Sequence, residues 1–292
     1  MNHAWLDQTE YPFKSHYFPV NGQQLHYIDE REGDPILFVH GTPSWSFDYR
    51  KVIKALRVTH RCIAIDHIGF GLSDKPKVYD YSTLNHSNTL EKFILEQDLQ
   101  DLILVVHDFG GPIGFNFALK YPERIKGIIV LNSWLWSSET DADFLAIRKI
   151  LKSPLLPVLY RYLNFSPRYI LPQSFGEQKL SRSLLRQYTR PFTHITEREG
   201  PLAFARSLLN DQAWFESLWA QRNILQDKPM LFIWGMKDSV IKPKNLDKFL
   251  DGFPHARVKK LPTAGHFPQE EQPDQVTAIL REFLISHSID KI

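Results

Sequence analysis

Short runs of apolar and β-branched residues recur along this chain at the spacing of a sheet: His16 to Val20, Gln23 to Asp29, Pro35 to His40, Arg61 to Asp66, Leu102 to His107, Ile125 to Asn132, Met230 to Gly235 and Ala256 to Leu261. The pattern predicts eight strands. Asn21-Gly22 separates the first two, and because both residue types tolerate positive φ, a tight hairpin is expected, so the sheet should begin antiparallel. From Pro35 onward the pattern changes. Ile36-Leu37-Phe38-Val39 and Leu102-Ile103-Leu104-Val105-Val106 are continuously apolar, as expected of strands covered on both faces and alternating with helices.

Between about Ser133 and Gln212 the strand signal stops, and Pro154, Pro157, Pro167, Pro172, Pro191 and Pro201 divide the region into short helical pieces. Its apolar and aromatic stretches, Leu155 to Tyr160 and Phe204 to Trp219, suit a helical cap over an apolar cavity. The expected organisation is a core of residues 1–132 and 214–292 interrupted by a cap of residues 133–213. A helical subdomain that packs only on itself is the plainer alternative.

With 292 residues, 43% of them apolar, the chain can bury a large core without staples. Thirty-five basic against 33 acidic residues, scattered along the chain, leave a net charge of +2, so nucleic acid is not an expected partner. The single cysteine, Cys62, lies in an apolar run and reads as a buried thiol. Met1 to Ser15 carries Asp7, Glu10 and Lys14 and reads as neither a signal peptide nor a spanning helix. A cytoplasmic address and no membrane partner are the expectation.

The chemistry concentrates in Val105-Val106-His107-Asp108-Phe109-Gly110-Gly111-Pro112-Ile113-Gly114, a strand running into a glycine-rich turn and then a helix. This is the form of a nucleophile elbow, in which a reactive side chain sits on a strained turn and small neighbours let the helix approach the sheet. Gly110, Gly111, Gly114 and Ala118 are those small neighbours. A carboxylate at a helix N-terminus is favoured as the anion, so Asp108 should be ionised and able to attack carbon. Alone, Asp108 reads equally well as a helix cap. Asp238, after the seventh strand, and His266, past the eighth, weigh against that reading, because nucleophile, acid and histidine then follow the chain order of α/β hydrolases. In His40-Gly41-Thr42-Pro43 the N–H of Thr42 should face the nucleophile and form, with the N–H of Phe109, a two-donor anion site. His40 and His107 read as structural.

At these residues the chain resembles the haloalkane dehalogenase branch of the α/β hydrolases and the related epoxide hydrolases. The match is most specific at His40-Gly41-Thr42-Pro43, Asp66-His67-Ile68-Gly69-Phe70-Gly71-Leu72-Ser73, His107-Asp108-Phe109-Gly110-Gly111 and Gly265-His266-Phe267. The resemblance implies an α/β-hydrolase fold with a mostly parallel eight-stranded sheet and inserted cap, Asp108 as nucleophile, His266 as base and Asp238 as its orienting acid. Other members place a Glu after the preceding strand, where this chain has Asn132 and Ser133. Two departures concern the halide: the usual tryptophan after the nucleophile is Phe109, which has no N–H to donate, and the usual asparagine of the loop after the third strand is Thr42. The Thr42 hydroxyl, Trp134, Trp136 or a cap residue would have to substitute.

No cofactor is implied, and without a Cys/His cluster at ligand spacing no metal is expected. The expected partner is a small apolar substrate, with the protein a monomer or homodimer. Epoxide hydrolysis is the nearest rival and would need cap tyrosines: Tyr160, Tyr162, Tyr169 or Tyr188, with Tyr188 the first candidate substrate-binding residue. The same chemistry serves other strained or activated electrophiles. A noncatalytic hydrolase-fold receptor is the alternative from a different class.

Overall fold

The computed structural model describes residues 4–286. Strands β1 (His16–Val20) and β2 (Gln23–Glu30) form the expected hairpin, with Asn21 at φ 51° and Gly22 at φ 75°, and Val20 pairs with Gln23 across the turn. Next come β3 (Pro35–Val39), β4 (Arg61–Ile65), β5 (Leu102–Asp108), β6 (Ile125–Ser133), β7 (Met230–Gly235) and β8 (Arg257–Leu261). They lie in the order β1-β2-β4-β3-β5-β6-β7-β8. β2 runs antiparallel to both its neighbours, and every other pairing from β4 to β8 is parallel.

Alternation along the central strands explains their unbroken apolar runs. Leu37, Val39, Leu104, Val106, Ile128 and Val130 point into one core, whereas Ile36, Phe38, Ile103, Val105, Ile129 and Leu131 point into another on the opposite face. Cys62 belongs to the second core, where burial raises its thiol to about 12. The helices α1 (Arg50–Leu56), α2 (Thr83–Glu96) and α3 (Gly110–Lys120) follow β3, β4 and β5. Ser82 caps α2 by accepting from the Asn85 N–H at 3.2 Å. Between β6 and β7 the chain is helical, beginning with α4 (Ala142–Leu151) and α5 (Leu156–Leu163).

Glycine decides where α3 sits. A Cβ on Gly110 would lie 2.1 Å from the Val39 carbonyl oxygen, and one on Gly114 would lie 2.8 Å from a Val106 methyl. The helix that follows Asp108 is therefore pressed against β3 and β5 more closely than any side chain at position 110 permits. Gly110→Ala is expected to lower stability by about 3 kcal/mol or more, because a backbone carbonyl cannot move aside as a side-chain tip can. Urea unfolding of the variant beside the parent checks this, and a midpoint unchanged within error would contradict the close approach.

Candidate active site

β5 ends on Asp108, whose φ of 50° lies in the left-handed region. A non-glycine residue held there is strained by on the order of 1 kcal/mol or more, which the surrounding contacts must offset. The loop after β3 supplies one of them: the Thr42 N–H donates to Asp108 Oδ1 at 2.8 Å. Gly41 must be glycine here, since a Cβ would fall 2.1 Å from the same Oδ1. Behind the turn, Ser133 Oγ at the end of β6 donates to the Asp108 carbonyl at 2.6 Å.

The second carboxylate oxygen, Oδ2, lies 3.5 Å from His266 Nε2, and His266 Nδ1 lies 2.8 Å from Asp238 Oδ2. Asp238 is fixed in turn. Its Oδ1 accepts from the N–H groups of Val240 at 2.7 Å and Ile241 at 2.9 Å, and its Oδ2 accepts a further bond from Asn132 Nδ2 at 2.7 Å. The Asn132 oxygen accepts from the Gly235 N–H at 2.8 Å. Asp108, His266 and Asp238 are all buried.

Their charges hold one another. Burial would raise the Asp108 carboxyl, but the hydrogen bond and charge of His266, together with the Phe109 N–H, outweigh it and keep the group below its ordinary value. Burial would likewise depress His266, yet the flanking carboxylates of Asp238 and Asp108 raise it to about 10. The resting site is thus an imidazolium between two carboxylates, suited to a nucleophilic anion backed by a histidine.

His40 and His107 hold backbone, as expected. Burial lowers His40, whose Nδ1 donates to the Gly41 carbonyl at 2.7 Å while its Nε2 accepts from the His67 N–H at 3.0 Å. Burial also depresses His107 to about 3, and its Nε2 donates to the His266 carbonyl at 2.6 Å. Phe109 meets Trp134 edge-on at 4.8 Å between centroids and Phe204 at 4.6 Å, so an aromatic wall stands beside the carboxylate. Trp136 is placed elsewhere, between Trp219 and Phe249 with the Lys248 ammonium 4.7 Å over its ring.

Tyr188 is a correction. Its buried hydroxyl donates to Glu270 Oε2 at 2.6 Å, within the ion-pair cluster of Arg50 and Lys51, and has no donor left for a substrate. Of the other tyrosines, Tyr162 and Tyr169 are exposed. Tyr160 is buried; burial raises its hydroxyl to about 12, the bond to Ser166 opposes the shift, and the charge of Asp108 adds to it.

Sequence reasoning missed Phe204, which reaches Phe109 from the helix Glu199–Asn210, and the part played by Asn132. Its signal was available: an amide where relatives carry an acid is a group placed to touch the acid's replacement.

The family description that matches this chain is that of the alpha/beta hydrolase fold, over residues 34–153 and 175–273. The chain belongs to the α/β-hydrolase family. Within it the protein is haloalkane dehalogenase-like. The hydrolase is 34% identical over 280 residues to haloalkane dehalogenase 2 of Mycobacterium tuberculosis, covering 94% of this chain and 96% of that one. It is 35% identical over 285 residues to cis-3-alkyl-4-alkyloxetan-2-one decarboxylase of Shewanella oneidensis, covering 94% and 90%. The crystal structure of haloalkane dehalogenase DatA from Agrobacterium tumefaciens superposes with a TM-score of 0.85 at 26% identity, covering 94% and 97%.

Removing the Asn132 side chain tests the second layer of this hydrolase. Asn132→Ala leaves the Gly235 N–H unpaired and Asp238 short of one donor, so a stability loss of about 1–3 kcal/mol is expected by thermal or urea unfolding.

Proposed function

We propose that this hydrolase cleaves carbon–halogen bonds of small apolar substrates through an ester formed on Asp108. The observation that carries the reading is the arrangement on that carboxylate: Oδ1 accepts from the Thr42 N–H at 2.8 Å, while Oδ2 faces His266 Nε2 at 3.5 Å. Oδ2 attacks the substrate carbon, a C–O bond forms, and the C–halogen electron pair leaves with the halide. Oδ1 becomes the ester carbonyl oxygen.

Esterification removes one of the two anions that hold His266 protonated, so its basicity falls when a base is needed. The His266 proton passes to solvent, balancing the departed halide; neutral His266 then takes a proton from water, and the water oxygen attacks the Asp108 carbonyl carbon. The negative charge that develops on Oδ1 meets the N–H groups of Thr42 and Phe109. Collapse expels the alkoxide, which takes that proton from His266 and leaves as the alcohol; the Asp108 carboxylic acid that remains gives its proton to His266, restoring the carboxylate and the protonated ring. Asp238 holds the imidazole in the productive orientation throughout. The helical residues 133–213 act as the cap that shuts water from this site, with Phe204, Trp134 and Phe109 as an apolar wall for the substrate.

The leaving halide finds no indole at position 109. The group placed to serve is the Thr42 hydroxyl, which is buried and finds no hydrogen-bond partner among the described residues. A second reading is favoured by this same poverty of donors: opening a strained cyclic oxygen electrophile keeps the leaving oxygen tethered, so no separate anion cradle is required. The relative named for an alkyl-oxetanone fits that chemistry. Epoxide opening is less well served, because only Tyr160 of the four candidate tyrosines is both buried and within reach of the Asp108 charge.

Intact-protein mass separates the readings. His266→Phe, which retains the nucleophile and loses the base, is expected to accumulate a bromoethyl ester from 1,2-dibromoethane, whereas Asp108→Ala accumulates none. Adducts from a cis-dialkyl oxetanone or from styrene oxide, with none from the bromide, would move the assignment to ring opening. No adduct with any of these would leave the binding-protein alternative standing.

The pH dependence carries a sign. Ester formation needs ionised Asp108, whose carboxyl lies below its ordinary value, so single-turnover alkylation should persist down to about pH 4. Hydrolysis needs neutral His266, so kcat is expected to fall as pH drops through the histidine value of the ester form. Rapid-quench measurement of the two steps checks the split; loss of both at the same pH would contradict it.

A further inference from the structure

From Phe144 to Gly176 the chain has no acidic residue but carries Arg148, Lys149, Lys152, Arg161 and Arg168, in a protein whose net charge is only +2. This basic stretch holds α4 and α5. It also concentrates exposed apolar side chains: Ile150 is 59% exposed, Leu155 64%, Val158 47% and Tyr162 66%. Leu155, Val158 and Tyr162 recur at i, i+3 and i+7, which places them on one face of α5. Leu156 and Tyr160 lie on the opposite face, buried against Leu202 and Ala205. The helix is therefore apolar on two sides, and only one side is packed.

We propose that the outer face of α4 and α5 docks on an anionic lipid bilayer, with the exposed aliphatic and tyrosine side chains entering the headgroup boundary and the basic residues resting on lipid phosphates. Charge complementarity selects this occupant. Flanking acids do not cancel the field: Asp141 and Asp143 pair with Lys242 and Lys244, Glu177 with Lys237, and Glu199 with Arg161. Arg148, Lys149, Lys152 and Arg168 remain without an ion pair among the described residues. Two copies meeting face to face through this surface would set these like charges against one another, whereas acidic headgroups neutralise them. Lysine and arginine stems also lie along apolar surface while their heads reach outward, as such an interface requires.

The binding is peripheral, since no helix among the described residues is long and apolar enough to cross a membrane. It reverses the sequence expectation that the protein has no membrane partner. Its position also bears on access to the site: the inner face of α5 packs on the helix Glu199–Asn210, which carries Phe204 onto Phe109. An apolar molecule dissolved in the bilayer would meet the roof of the Asp108 site directly. The docking does not depend on which electrophile Asp108 attacks.

Flotation of the full chain with lipid vesicles tests it. The protein should rise with phosphatidylcholine vesicles containing about one-third phosphatidylglycerol, remain unbound with pure phosphatidylcholine, and lose binding in about 0.5 M salt. Lys149→Glu with Lys152→Glu should reduce partitioning at least about five-fold per position, and Leu155→Ser with Val158→Ser should weaken it without altering its salt dependence. All four positions are exposed, so unfolding temperature and turnover of a water-soluble substrate should match the parent. Absence of binding to the anionic vesicles, or equal binding by the charge-reversed variant, overturns the proposal. So does a concentration-dependent dimer that Leu155→Ser with Val158→Ser abolishes, because the face would then belong to a second copy.

Discussion

The site depends on one crowded turn. A carboxylate is placed at positive φ between a strand and a helix, and the space around it is defined by what has been removed: the side chain of Gly41 on one side and that of Gly110 on the other. With those two side chains absent, β3 and α3 close on Asp108 from opposite directions and deliver the Thr42 N–H to one oxygen. The second oxygen faces His266. Backbone strain, close packing and the division between the two oxygens are thus one arrangement.

The electrostatics follow from burying three ionisable groups together. An isolated carboxylate or imidazolium in this core would neutralise itself at a cost of several kcal/mol. In sequence across the site the charges alternate, carboxylate, imidazolium, carboxylate, so each offsets the desolvation of its neighbour. Any event that neutralises Asp108 shifts the proton balance on His266, and the proposed ester does so. The proton thus becomes mobile only after the first covalent step.

The sheet was legible because its strands are dictated by local signals. Runs of apolar and β-branched residues bounded by turns gave all eight, with ends that differ from the structure by no more than a residue, and Asn21-Gly22 gave the hairpin. Asp108, His266 and Asp238 were legible because the first ends a strand and the other two lie in the loops just past strand ends, where chain order and topology bring residues together. Tyr188 was misplaced because a proline-divided helical region gives periodicity without direction. Nothing in Gln187-Tyr188-Thr189 says that the hydroxyl turns toward Glu270, 82 positions away. Trp136 and Phe204 exchanged importance for the same reason: which aromatic reaches Phe109 is decided by packing between helices.

The hydrogen bond from Asn132 to Asp238 has a consequence for how such sites diversify. The ends of β6 and β7 converge on a single spot behind the imidazole, one contributing an amide and the other a carboxylate. A side chain at either strand end therefore lies within one hydrogen bond of the group that holds the ring, so the orienting carboxylate and its supporting amide occupy neighbouring positions in space though 106 residues apart in the chain. Whichever strand end bears the acid, the imidazole must stand between it and Asp108, so the ring is the one member of the set whose place admits no exchange.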